Sequence, residues 1–177
     1  MTAKRYSFQK LTSKDYDQFL VYYTQIEYSF FRDDNPFKNK EVVTKFLTEA
    51  IEKVSPRHVS YEGYLSLMRQ GDIYLCRNEE DEVLGIILAT PGLTKKSITI
   101  HEFFVLKKYQ RKNMGTKMYQ DFLQYLKQQG YRKVSISLMC PFEGAEEFWK
   151  KMGFRVTHFE KTSFGIDKKF FGKTEFL

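Results

Sequence analysis

The spacing of apolar positions changes character once along this chain, near Asp72. Before that point the period is helical. Phe19, Tyr23, Ile26 and Phe30 recur every three or four residues, which predicts a helix over about 14–31 with Thr12 or Ser13 as its cap. Val43, Phe46, Leu47 and Ile51 predict a second helix over 40–54, closed by Ser55-Pro56. Residues 59–70 predict a short third one ending at Gly71, and residues 4–10 a first strand. After Asp72 the apolar runs become short and bounded by turns. Residues 73–77 and 83–90 predict a hairpin around an acidic turn, and Pro91-Gly92 leads into an apolar run over 98–106. A helix over 113–129 should stop at Gly130. A strand over 133–138, a helix over 145–153 ending at Gly153, and strands over 154–160 and 168–176 complete the chain. Leaving out the short third helix, the expected order is βααβββαβαββ in one domain spanning residues 1–177.

Composition narrows the picture. Aromatic residues make up 17% of the chain, so the core can be built on Phe and Tyr. No apolar stretch approaches the roughly 20 residues of a membrane span, and the first residues lack the apolar centre of a signal peptide. A cytoplasmic protein with no membrane contact is expected. Cys76 and Cys140 have no zinc-like spacing, so they are expected as reduced thiols, with no metal. Net charge is +7. The Lys and Arg are scattered among acids rather than gathered in a block, so nucleic acid is the lesser reading and an anionic small ligand the better one.

Residues 98–119 say where such a ligand would sit. An apolar strand runs into the basic turn Gln110-Arg111-Lys112-Asn113-Met114-Gly115-Thr116, where a helix begins. The first amides of a helix have no partners within it, and the helix dipole favours negative charge there. Gly115 has no Cβ to hold a ligand away, and Arg111, Lys112 and Lys117 add charge. A phosphate or pyrophosphate is the expected guest.

This segment resembles the acetyl-CoA motif of the GCN5-related N-acetyltransferases, Gln/Arg-x-x-Gly-x-Gly/Ala after a strand ending in Val. Val105, Gln110 and Gly115 match it, and Asn113 stands at the first Gly. Ala145-Glu146-Glu147-Phe148-Trp149-Lys150-Lys151-Met152-Gly153-Phe154 resembles the second signature, Ala-x-x-Phe-Tyr-x-x-x-Gly-Phe. The resemblance covers about residues 72–160. It implies an α/β fold with a mixed, mostly antiparallel sheet flanked by helices, in which the parallel strands near residues 98 and 134 splay apart around the cofactor.

It also implies an acetyl-CoA-dependent N-acyltransferase in which a primary amine attacks the thioester directly. Backbone groups of Phe104, Val105 and Leu106 would hold the pantetheine arm. The amides of Arg111, Lys112, Asn113, Met114, Gly115 and Thr116 would hold the diphosphate, with Gln110 opening the turn. His101, read as facing the same way as Phe103 and Val105, is the first choice of base. The alternative for it is a ring hydrogen-bonded within the sheet. Glu102, on the opposite face, is the second choice. Trp149 replaces the family's usual Tyr, so it would orient the thiolate or line the pocket rather than act as an acid. The family's Asn three residues before the Ala is Phe142 here. Tyr28 and Phe31 are candidates for the acceptor pocket, and a homodimer through the late strands is compatible with the pattern. A non-catalytic CoA-binding sensor or scaffold is the competing reading.

Overall fold

The computed structural model describes residues 6–30, 61–139, 145–161 and 167–173. The expected helix over 40–54 lies outside them, as do Phe31, Cys140, Phe142 and the side chain of Tyr28. Seven strands form one sheet: β1 (Ser7–Lys10), β2 (Asp72–Arg77), β3 (Val83–Pro91), β4 (Ser97–Val105), β5 (Lys133–Met139), β6 (Arg155–Lys161) and β7 (Asp167–Lys173). Their spatial order is β1-β2-β3-β4-β5-β7-β6. Every neighbouring pair is antiparallel except β4 and β5.

Among the described residues four helices flank the sheet: α1 (Tyr16–Phe30), α2 (Tyr61–Gln70), α3 (Met114–Gln128) and α4 (Ala145–Lys151). Thr12, rather than Ser13, caps the turn that opens α1. Its hydroxyl accepts from the Lys14 amide, and Asp15 accepts from the Thr12 amide in return. Gly130 and Gly153 stop α3 and α4 with φ of +86° and +88°. At each stop the next residue's amide reaches back into the last turn, from Tyr131 to Leu126 and from Phe154 to Trp149.

Two apolar clusters lie on opposite faces of the sheet. Met118, Tyr119, Phe122 and Leu126 of α3 cover one face, together with Tyr74, Ile87, Ile98, Ile100, Val134, Ile136 and Trp149. Phe19 and Tyr23 of α1 and Tyr64 and Leu67 of α2 cover the other, against Ile73, Leu75 and Ile86. The middle strands are buried on both faces, which explains why β2 reads as a continuous apolar run rather than an alternation. Cys76 is a buried free thiol, and burial pushes its pKa up to about 12, so it is inert as a nucleophile. Among the described residues no helix is long and apolar enough to cross a membrane, and no three His, Cys, Asp or Glu side chains are grouped to hold a metal ion.

Candidate active site

The parallel pair is short. β4 and β5 pair only from Ser97–Lys133 to Ile100–Ile136. Beyond that both strands continue, β4 against β3 and β5 against β7, with no pairing to each other. A wedge therefore opens between residues 101–105 and 137–139, and the ladder groups of β4 that face away from β3 point into it. The Leu106 amide donates to the Leu84 carbonyl at 2.8 Å, which sets the alternation. Leu106 and Phe104 turn their backbone groups toward β3. Phe103 and Val105 turn theirs into the wedge. Of the three residues expected to hold an extended ligand arm, only Val105 is so placed, and Phe103 joins it. The apolar run gave no sign of ladder parity, which depends on the partner strand.

The Val105 carbonyl is already engaged. Gln110 Nε2 donates to it at 2.7 Å, so the first motif residue folds back over the strand end. The turn that follows contains two non-glycine residues in the left-handed region, Arg111 (φ 58°) and Asn113 (φ 60°). Asn tolerates that conformation; Arg does so at a cost of roughly 1–2 kcal/mol. Asn113 precedes α3 and makes no side-chain cap bond, and the first intrahelical amide to bond back is that of Lys117. The amides of Met114, Gly115 and Thr116 thus head the helix without a capping side chain, after a turn with left-handed residues at Arg111 and Asn113. Replacing Arg111 by Gly should hold or raise stability by up to about 1 kcal/mol in urea unfolding, because relief of strain outweighs the entropy glycine adds. The same variant should bind CoA more weakly by calorimetry. A clear loss of stability would show that the turn does not require the left-handed residue.

The side chains divide differently from the expectation. Arg111 and Lys112 are exposed beside the turn. Lys117 has partners of its own. Its Nζ pairs with Asp121 at 2.8 Å and lies 4.1 Å over the Tyr6 ring, where it fastens β1 to α3. The Tyr6 amide completes this with a bond to Asp121, and the Tyr6 hydroxyl lies 2.8 Å from the Met114 sulfur. A Cβ on Gly115 would approach Phe148 and Val105 no closer than 3.6 Å, an ordinary contact.

The two base candidates share a face, contrary to the expectation for His101. The β3–β4 register slips between Leu88 and Ala89, where Leu88 opposes Glu102 and Ala89 opposes Ile100. His101 is the extra residue of a bulge. Upstream of it, Ile98 and Ile100 belong to the α3 cluster; downstream, Phe103 and Val105 do. The bulge therefore turns both His101 and Glu102 to the α1–α2 side. Thr90 confirms the direction. Its Oγ1 lies 2.7 Å from His101 Nε2, and its methyl group borders Gly71 at the end of α2. Strict alternation fails here because a bulge inserts one residue into a period of two.

On the α3 side the wedge is floored by aromatic rings. Trp149 is only 3% exposed and makes T-shaped contacts with Phe103, Tyr119, Phe148 and Phe154 at 4.8–5.4 Å. It is a packing residue of the core. Tyr119 is 1% exposed, and its hydroxyl is buried with no hydrogen-bond partner. Leaving such a group unsatisfied costs roughly 1–3 kcal/mol. Burial pushes its phenol well above the usual range, so it stays un-ionised.

An uncapped helix start, a left-handed basic turn and a backbone-lined wedge fit a long anionic ligand with an extended arm. The sequence model of the acetyltransferase (GNAT) family matches residues 28–154. The fold is similar to that of Ard1 from Thermoplasma volcanium, with a TM-score of 0.64 at 15% identity over 97% of this chain and 99% of that one. The ribosomal-protein-S18-alanine N-acetyltransferase from Escherichia coli is similar with a TM-score of 0.61 at 12% identity, covering 97% and 96%. A GNAT acetyltransferase from Elizabethkingia anophelis with acetyl-CoA bound is similar with a TM-score of 0.57 at 18% identity, covering 96% and 98%. No curated protein matches the chain in sequence. With its family signature spanning most of its length and its sheet split in the same place the motifs foretell, the chain belongs to the acetyltransferase (GNAT) family.

Proposed function

We propose that the protein transfers an acetyl group from acetyl-CoA to a primary amine by direct attack. The observation that carries this reading is the conjunction of the split β4–β5 pair with the uncapped start of α3. The diphosphate would rest on the amides of residues 111–116, with Arg111 and Lys112 beside it. The pantetheine arm would run along Phe103 and Val105, displacing or sharing the Gln110 amide at the Val105 carbonyl. Two solved structures of the same fold hold coenzyme A or acetyl-CoA, and a third is an N-acetyltransferase, by their own descriptions.

The amine must lose a proton to attack. If His101 Nε2–H donates to Thr90, its Nδ1 holds the lone pair that takes this proton, directly or through water. Glu102 beside it is the second candidate. Both face the α1–α2 side, which is where the acceptor would enter. Tyr28 and Phe31, at the end of α1 and just after it, are candidate walls of that pocket. Trp149 would close the opposite side.

His101→Ala should lower kcat by about a hundredfold and remove the acidic limb of the pH–rate profile, with CoA affinity nearly unchanged. Glu102→Gln should leave that limb in place. The reverse pattern would assign the base to Glu102. Tight CoA binding without thiol release for any amine in a broad panel would instead favour a cofactor-binding module.

A further inference from the structure

Cations that stand apart along the sequence are gathered by the fold. Residues 83–101 and 122–142 carry five of them, Lys95, Lys96, Lys127, Arg132 and Lys133, and no Asp or Glu. The parallel pairing brings the two stretches together. β4 and β5 start side by side, with Ser97 opposite Lys133, and the Lys96 carbonyl accepts from the amides of Arg132 and Lys133 at 2.8 and 3.1 Å. α3 ends at the same edge, where the Gly130 amide bonds back to Lys127 and the Tyr131 amide to Leu126. All five cations are exposed. The turn that carries Lys95 and Lys96 is fixed by the buried Ser97, whose hydroxyl and amide both donate to the Thr94 carbonyl at 2.9 Å. Elsewhere, surface cations have carboxylate partners: Arg77 with Asp81, Lys108 with Glu82, Lys117 with Asp121, Lys150 with Glu146. Among the described residues none of the five has one. Asp72, which starts β2 at this same edge, is already held by Lys10 at 2.8 Å and by the Tyr74 hydroxyl at 3.1 Å. The carbonyl end of α3 offsets only about half a charge. Lys96, Arg132 and Lys133 sit on adjoining backbones, within a Debye length of roughly 8 Å, so their fields add and draw in a polyanion.

We propose that this edge of the sheet binds nucleic acid through its phosphate backbone. The patch is distinct from the cofactor turn. It lies at the opposite end of β4, and the run from Ser97 to Val105 is roughly 25 Å. A strand bound there leaves the wedge clear. Phosphates suit the patch because they offer a negative charge about every 3.4 Å along each strand and need no pocket. The cations stand on neighbouring β-strands about 4.8 Å apart, a spacing such a row can follow. An acidic protein would want an apolar centre to its interface. The turn offers one large apolar side chain, Leu93, exposed at its tip. That is also far short of the apolar face that seats a protein on a bilayer. The contacts are to phosphate, so the binding carries no base preference.

Fluorescence anisotropy of a labelled single strand of about 20 nucleotides, titrated with the full chain at several salt concentrations, tests this. Affinity should fall roughly a hundredfold between about 50 and 200 mM salt, the slope of about five single-strand phosphate contacts. Lys95→Ala combined with Arg132→Ala should weaken binding about tenfold or more at the lower salt and flatten the slope by about 1.4. Its Tm and its affinity for CoA should match the wild type. Arg111→Ala combined with Lys112→Ala, in the cofactor turn, should keep the nucleic-acid affinity, and saturating CoA should not displace the strand. Displacement by CoA, or a slope unchanged in the Lys95 and Arg132 variant, would put the strand elsewhere and overturn the proposal. Absence of binding at the lower salt would do the same. Tighter binding to phosphatidylserine vesicles than to the strand would also overturn it, by assigning the edge to a membrane surface.

Discussion

Gly115→Trp is expected to raise the Michaelis constant for acetyl-CoA by about a hundredfold, with kcat changed far less. The argument is steric and local. Gly115 is the second residue of α3, where amides without intrahelical partners would meet the diphosphate. Nothing in the protein requires a glycine there. Its φ is not left-handed, and an added Cβ would lie 3.6 Å from Phe148 and Val105. Gly115→Ala is therefore the control. It should keep or slightly raise stability, since alanine favours a helix over glycine by about 0.5–1 kcal/mol, and it should raise the Michaelis constant only a few-fold. An indole at this position would occupy the approach to the helix start. Steady-state kinetics with a thermal melt of each variant would check the series. A tryptophan variant that melts normally and binds acetyl-CoA normally would show that the diphosphate lies elsewhere.

Gly85→Ala is expected to destabilise the fold by about 3 kcal/mol, a fall in Tm of roughly 6–12 °C. Gly85 opposes Val105 across β3 and β4. A Cβ on it would approach the Phe104 carbonyl oxygen and meet the Met118 side chain at 3.1 Å. The Met118 end can swing aside; the carbonyl belongs to the strand and cannot move alone. Relief requires β3 and β4 to separate next to the residues that line the wedge. The variant should thus lose CoA affinity as well as stability, beyond what partial unfolding explains. Urea unfolding monitored by Trp149 fluorescence, with calorimetry below the transition, separates the two effects. A variant as stable as the wild type would show that the strands tolerate a wider spacing.

Most of the frame was legible in the residues. The stops at Gly130 and Gly153, the acidic hairpin turn and the switch from helical to strand spacing at Asp72 are local signals, and each described element lies within a few residues of its expected place. The start of α3 was legible for the same reason, since the left-handed Asn113 marks it through its own backbone. What sequence reading missed depends on partners distant in the chain. The bulge at His101 arises from the register with β3, so alternation placed His101 on the wrong face. The commitment of the Leu106 amide to Leu84 arises from the same pairing. Lys117 reads only as added charge near the turn, because nothing nearby in sequence announces its contact with Tyr6, 111 residues away. Tyr119 is one of twelve tyrosines, and only packing distinguishes it from the others.

A sheet split down its middle has two inner margins as well as its outer ones, and bare margins recruit foreign strands. The bond from Gln110 to Val105 occupies an acceptor at one of them whenever no ligand lies there. That side chain would thereby hinder a second strand from pairing there. A chain lacking it would be safest when saturated with ligand and most prone to aggregate when starved of it.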